Sequence, residues 1–360
     1  MTHKKLFIPG PVDVRPDVLE KMSTPMIGHR TKDASALQQR ISVKLQKLML
    51  TKNEIILSTS SGSGLMEGAV RCFTSKKAAV FSIGAFGDRW YKMCTSNGIA
   101  ADIFRSELGQ PTTADMVREV LSSGEYDLVT ITHNETATGV HNPIVQIANV
   151  LKEFPNVIFC VDAVSSLGGE SIPVDELGID VCITSSQKCL GLPPGLAIAS
   201  VTERAIEKAK SIPNRGLYFD YVELYKFVKE KPYQYPSTPS LAHMFALDYQ
   251  LDRIFAEGLE ARFARHKAMA ERVRAWASDK LALYSNPEHL SVTVTCVTNT
   301  RNIPFSELNA AMGKRGYLLS NGYGALKDKT FRIAHMADAT MEDIEEMLRN
   351  LDEVLESFPA

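Results

Sequence analysis

The stretch NVIFCVDAVSSLGGESIPVDELGIDVCITSSQK (156–188) contains two apolar, β-branched runs, and each ends in a residue capable of charge. NVIFCV closes on Asp162, and DVCITS closes on Ser186-Gln187-Lys188. Runs without polar alternation predict strands buried on both faces, the habit of a parallel sheet covered by helices. Working outward, EIIL (54–57), AAVFSI (78–83), DLVTIT (127–132) and LAIASV (196–201) have the same character. Helical patterns lie between several of them, such as IVQIANVLKEF (144–154), and Leu37, Ile41, Leu45 and Leu48 recur at helical spacing. This alternation predicts an α/β fold with a mainly parallel sheet.

The character changes at 210–240, a segment rich in Tyr, Pro and Lys. Beyond it one long helix is expected from Leu241 to Lys280. SVTVTCV (291–297), a helix near 305–315, FRIAHM (331–336) and a closing helix from Met341 to Phe358 then alternate on a smaller scale. With 360 residues the chain is long for one core. A large domain over 1–240 and a smaller one over 241–360 are expected.

A formal net charge of -2 implies no field that would gather nucleic acid or an anionic membrane. No run is long and apolar enough to span a bilayer, and the first residues lack a secretory h-region. A cytoplasmic location is the expectation. Cys72, Cys94, Cys160, Cys182, Cys189 and Cys296 make no C-x-x-C pair and no zinc-spaced cluster. They are expected to be buried free thiols, and no metal is expected.

Ligands of open α/β sheets gather at the carboxyl ends of the strands. Four polar clusters follow apolar runs: Ser61-Gly62-Ser63-Gly64, His133-Asn134-Glu135-Thr136, Asp162, and Ser186-Gln187-Lys188. Parallel strands would bring all four to one edge. The Gly-Ser loop, between a strand and a helix start, suits an anion, although its G-x-G-x-x-x-G spacing is neither a P-loop nor a dinucleotide fingerprint, and a plain turn accounts for it equally well. Asp162 and Lys188 would be costly to bury bare. A structural ion pair is one solution. The other is a carboxylate that holds a pyridinium nitrogen and a lysine that forms an imine with the same ring's aldehyde. Arg332, inside FRIAHM, is either a salt-bridge partner or a bidentate anchor for a substrate carboxylate.

Together these blocks resemble a class V, fold type I, pyridoxal-phosphate aminotransferase of the alanine–glyoxylate and serine–pyruvate group. The resemblance covers nearly the whole chain. It rests on IPGPV (8–12), PMIGHR (25–30), SGSG (61–64), HNETATGV (133–140), VDAVSSLGG (161–169), SSQKCLGLPPG (185–195), YPSTPS (235–240) and FRIAHMADAT (331–340). It implies a seven-stranded, mainly parallel sheet in the large domain, pyridoxal 5'-phosphate as cofactor, and a homodimer with shared sites. Lys188 resembles the Schiff-base lysine, Asp162 the pyridinium partner, and Gln187 a neighbour of the cofactor phosphate. Ser63 and Gly64 resemble the phosphate loop, with Leu65 beside the cofactor where some relatives carry histidine. Phe86 resembles the aromatic ring stacked on the pyridine, and Thr136 a hydroxyl near the ring oxygen. Tyr235 and Thr238 resemble residues that reach the partner subunit's phosphate. Arg332 resembles the substrate-carboxylate anchor, and Pro9 and Gly10 belong to a segment across the site mouth.

The implied chemistry moves an amino group from a small amino acid, alanine or serine, to glyoxylate or pyruvate, with Lys188 as proton carrier. Arg30 either stays on the surface or faces the site across the dimer, and the second case would admit aspartate as donor. An aspartate or phosphoserine-type aminotransferase, a cysteine desulfurase, a nicotinamide-dependent dehydrogenase and a non-catalytic binding relative are the competing assignments. The desulfurase needs a mobile cysteine, and Cys189 is tied to the backbone beside Lys188.

Overall fold

The computed structural model describes residues 3–358. Seven strands form the large sheet: β1 (Glu54–Ser58), β2 (Ala78–Ser82), β3 (Ala101–Arg105), β4 (Leu128–Thr132), β5 (Ile158–Asp162), β6 (Val181–Ser185) and β7 (Ala197–Val201). Their order is β1-β7-β6-β5-β4-β2-β3. β7 is antiparallel to both neighbours, and the other pairings are parallel. With β7 alone reversed, β1 points the same way as β4, β5 and β6. The four polar clusters therefore share one edge of the sheet.

Successive residues of a strand face opposite sides, and β5 shows why its sequence has no polar alternation. Phe159 and Val161 enter a core with helix α1 (Lys32–Leu48), while Ile158 and Cys160 enter a second core with α2 (Gly62–Phe73) and α3 (Ala85–Ser96). Both faces are dry, and each fully buried aliphatic contributes about 1.5–3 kcal/mol. All six cysteines are buried and free.

The helix expected over 241–280 is two helices, α4 (Leu241–Glu257) and α5 (Leu259–Lys280). Gly258 separates them at φ +86°, a left-handed value that an α-helix cannot continue through and that glycine tolerates. Four antiparallel strands then form a smaller sheet: β8 (Ala282–Leu283), β9 (Val294–Thr298), β10 (Ser320–Asn321) and β11 (Thr330–Ala334), in the order β8-β9-β11-β10. Helix α6 (Met341–Glu356) starts on a reciprocal cap between Thr340 and Asp343 and covers this sheet's own core around Trp276, Val297, Phe331 and Leu348.

The N-terminal segment is tied to this smaller unit. Lys5–Leu6 pairs in parallel with Tyr317–Leu318, and Phe7 packs into the same core. The next residues, Ile8 to Pro11, are thereby delivered to the edge of the large sheet.

Candidate active site

A cavity of about 350 Å³ opens at the shared edge, lined among others by Gly62, Ser63, Phe86, Asp162, Gln187 and Lys188. A larger hollow of about 750 Å³ lies between the N-terminal segment and the smaller sheet. Charged groups there are already matched, Lys5 with Asp343 and His3 with Asp13. The smaller cavity is the one with charged groups that lack ionic partners, and chemistry belongs there.

Lys188 follows β6 and is buried, and its Nζ donates to the carbonyl oxygen of Pro9. Burial pushes its pKa down from 10.5 to about 8; Arg332 and Arg89 act in the same direction, against Cys189 and Asp162. Asp162, at the end of β5, is 4% exposed, and burial raises its carboxyl to about 6. Its Oδ1 accepts from the Val164 N–H at 2.9 Å. Each of the two charged groups is bonded to backbone, not to the other, so they do not form the structural ion pair that the sequence left open.

Helix α2 begins at Gly62 after an extended Ser61 that makes no side-chain cap. The N–H groups of Gly62 and Ser63 and the positive end of the helix dipole are thus available to an anion, while the Gly64 N–H donates to the Ser61 carbonyl at 2.9 Å. Gly62 is required by crowding, since a Cβ would come within 2.8 Å of Val164 Cγ2. Ser63 lines the cavity and accepts from Arg89 at 3.3 Å. Gly64 packs under Phe219, where a Cβ would meet the ring at 2.6 Å. Leu65 does not reach the cavity. It lies on the inward face of α2, fully buried in the same core as Ile56, Val70 and Trp90.

Phe86 stands at the start of α3 and lines the cavity, with the Arg89 guanidinium 4.8 Å above its ring. Glu135 holds this helix start. Its Oε2 accepts from the N–H groups of Phe86 (3.0 Å) and Gly87 (3.2 Å), and its Oε1 from Ala137 (2.9 Å). Burial raises the Glu135 carboxyl to about 7 against those three bonds. The Thr136 hydroxyl is occupied by Ser165 Oγ at 2.6 Å, and its carbonyl accepts from Arg332 at 3.2 Å.

Arg332, in β11, is buried and spends its other donors on the Asn321 carbonyl (3.0 and 2.9 Å) and Ser320 Oγ (3.3 Å). All these acceptors are neutral, so the charge is oriented but not cancelled. Burial lowers its pKa.

Tyr235 turns into its own chain, where it is buried and its hydroxyl accepts from the Thr59 N–H at 3.3 Å. Thr238 is exposed and does not line its own chain's cavity. Arg30 is on the surface. It donates to the carbonyls of Tyr235 and of Pro236 (3.1 Å) and lies 5.4 Å over the Phe227 ring, clamping this segment. Cys189 is fully buried, its Sγ is 3.7 Å from the Ser165 carbonyl, and burial raises the thiol to about 11.

Among the lining residues that were not anticipated, Arg89 and Tyr323 bring polar groups to the cavity. Arg89 lies three residues after Phe86, so helical spacing alone puts the two on one face. Tyr323 sits in the Gly-flanked turn NGYG (321–324), stacks on Phe86 (5.7 Å, 26°) and lies 5.6 Å from the Arg332 guanidinium. A turn carries no periodicity that would have pointed it inward.

Comparison with known proteins bears on this site. The family model described as Aminotransferase class-V matches residues 19–347. An uncharacterized aminotransferase of Methanocaldococcus jannaschii is 38% identical, over 92% of this chain and 88% of its own. The serine–glyoxylate aminotransferase of Arabidopsis thaliana is 33% identical, over 92% and 85%. The solved structure of an alanine–glyoxylate aminotransferase from Nostoc sp. superposes with a TM-score of 0.92 at 26% identity, covering 99% of this chain and 96% of that one.

Proposed function

Given that the chain belongs to the class-V aminotransferase family, we propose that it moves the amino group of a small amino acid, alanine or serine, to glyoxylate or pyruvate. The observation that carries this is a buried lysine and a buried carboxylate facing one small cavity without neutralising each other.

Pyridoxal 5'-phosphate is the family's cofactor, and the donor set fits it. The uncapped start of α2 with Ser63 and Gly64 suits its phosphate, Phe86 its ring face, Asp162 its pyridinium nitrogen, and Lys188 its aldehyde. Ser185 Oγ and Gln187 Oε1 are buried without a hydrogen-bond partner among the described residues, which is what a cavity built around a polar group leaves. Held there by these residues, the cofactor would supply an electron sink for the pair left when a proton departs from the substrate's Cα. Lys188, whose pKa burial lowers to about 8, can both take up and return a proton near neutrality, and it carries that proton. Asp162 keeps the nitrogen opposite it protonated. Arg332 binds the substrate carboxylate, and Pro9 and Gly10 close the mouth against water. Two half-reactions in one site make the kinetics ping-pong.

The size of the cavity supports a small donor. Arg30 donates to the carbonyls of the segment that carries Thr238, all neutral acceptors, so aspartate stands as the second donor to be screened. A desulfurase would need a free nucleophilic thiol, and Cys189 is buried with a raised pKa. The enzyme works as a cytoplasmic homodimer in which the exposed Thr238 serves the partner's site; no helix among the described residues is long and apolar enough to cross a membrane. A donor-by-acceptor screen tests the assignment, together with borohydride trapping and peptide mapping. Label on the peptide carrying Lys188 and turnover of alanine or serine with glyoxylate or pyruvate are expected. Label elsewhere would overturn the site, and turnover confined to other pairs would overturn the substrate.

A further inference from the structure

We propose that His133, His141 and Glu170 form a binding site for one divalent cation of zinc-like chemistry, separate from the cavity that holds Lys188. The three come from different places. His133 follows β4, and its N–H is held by the Asp162 carbonyl at 2.9 Å. His141 sits on the hairpin that pairs Asn134 with His141 and Glu135 with Val140. Glu170 lies in the loop after β5. Each offers one ligand atom, and the three atoms lie within 4.8 Å of one another.

The hydrogen bonds leave an unfilled position among them. His133 is 1% exposed; its Nδ1 is taken by Ser166 Oγ at 2.9 Å, and its Nε2 has no partner among the described residues. Glu170 Oε2 meets His141 Nε2 at 2.9 Å, while Oε1 is buried with no partner among the described residues. A simple His141–Glu170 ion pair would strand both orphan atoms, each at a cost of about 1–3 kcal/mol. One cation satisfies both. Zn–N and Zn–O bonds of about 2.0–2.1 Å require ligand atoms roughly 3.3 Å apart, which small side-chain rotations supply.

The surroundings suit a metal. Ser166 on the far nitrogen of His133 fixes the ring as an outer-shell partner does. Two imidazoles and one carboxylate favour zinc-like ions over calcium or magnesium. The side chains of His141 and Glu170 are 26% and 19% exposed, so an ion has a way in and water can complete the coordination. Against burial, Glu170 holds the His141 pKa above its ordinary value, so a cation bound there displaces a proton from His141; Arg274, which donates to the carbonyls of Leu290 (2.9 Å) and Ser291, acts on His141 in the opposite sense to Glu170.

The experiment uses the full-length holoenzyme, stripped with chelator and titrated with Zn2+ by calorimetry and thermal melting. It is repeated on His141→Gln and Glu170→Gln, with zinc-edge X-ray absorption on the loaded wild type. One equivalent per chain, a raised melting temperature, nitrogen and oxygen ligands without sulfur, and about 100-fold weaker binding in each variant are expected. Sub-stoichiometric binding, affinity unchanged in the variants, or sulfur at the edge would overturn the site. If a variant does not fold, the wild-type stoichiometry and edge spectrum still decide.

Discussion

The amine of Lys188 is held by the carbonyl oxygen of Pro9, a residue 179 positions earlier in the chain. That bond joins the large sheet to a segment anchored on the smaller one, so the lysine's position depends on both. Gly10 makes the approach possible. At φ +89° it adopts a conformation that costs other residues about 1–3 kcal/mol, and a Cβ there would sit 2.7 Å from Lys188 Cδ and 2.9 Å from Nζ. Gly10→Ala should therefore displace Lys188 while leaving the seven-stranded sheet intact. We expect kcat to fall on the order of 100-fold, as for a misplaced catalytic group, with an unchanged far-ultraviolet dichroism spectrum. Wild-type turnover in this variant would show that the segment does not position the lysine.

Lys188 should titrate far below an ordinary lysine. Its pKa in the folded chain is about 8 against 10.5, so half of it is neutral at pH 8, where a surface lysine is neutral in roughly one molecule in three hundred. The folded state disfavours the proton, so this group's contribution to stability rises with pH between about 8 and 10.5 and is constant above. Acylation of the apo-protein at graded pH, followed by peptide mapping, should show half-maximal labelling of Lys188 near pH 8. A midpoint near 10.5 would remove the physical basis for its role as base.

Much of this was legible in the sequence because burial leaves a plain mark. Strands such as Ile158–Asp162 are dry on both faces and read as unbroken apolar runs, and polar residues at their ends announce the ligand edge. β3 was not anticipated because Ala101–Arg105 is an edge strand, half-buried and mixed in composition. That the Leu65 side chain turns into the core was not legible, because a position in a motif says nothing about which way a helix turns its side chains. Glu135 stands at the ligand edge without a role legible in the sequence, since accepting two backbone N–H groups of a helix start and a third from Ala137 is a matter of geometry alone.

Asp162 should trade stability for function. Its folded-state pKa of about 6 lies above the ordinary 3.8, so the folded apo-protein keeps a proton that the unfolded chain loses in that window. Stability accordingly falls as pH rises from about 3.8 to 6, by about 3 kcal/mol in total, and the penalty persists at neutral pH. Asp162→Asn removes the charge at nearly constant shape. The apo variant should melt several degrees above the wild-type apo-protein at pH 7.5 and equal to it near pH 4, while transaminase activity is lost. A lower melting temperature at pH 7.5 would mean that the carboxylate is stabilised in a way its buried, backbone-bonded setting does not provide.

Tyr323 should govern how strongly Arg332 holds a substrate carboxylate. Its ring stacks on Phe86 at one side and lies 5.6 Å from the guanidinium at the other, yet 41% of the residue is exposed. The ring therefore stands between bulk water and a buried charge whose bonds are all to neutral acceptors. Keeping water away strengthens an arginine–carboxylate contact, because the local dielectric falls. A cation–ring contact of this kind contributes about 0.5–2 kcal/mol, so Tyr323→Ala should raise KM for the amino donor about 2- to 30-fold. The effect on kcat should be small, since neither the proton carrier nor Asp162 is touched. Tyr323→Phe keeps the ring and loses only the hydroxyl, and it should stay near wild type. Steady-state kinetics with alanine on the two variants separate a shielding role from one that depends on the hydroxyl: if Phe behaves like Ala, the hydroxyl and not the ring is what the site uses.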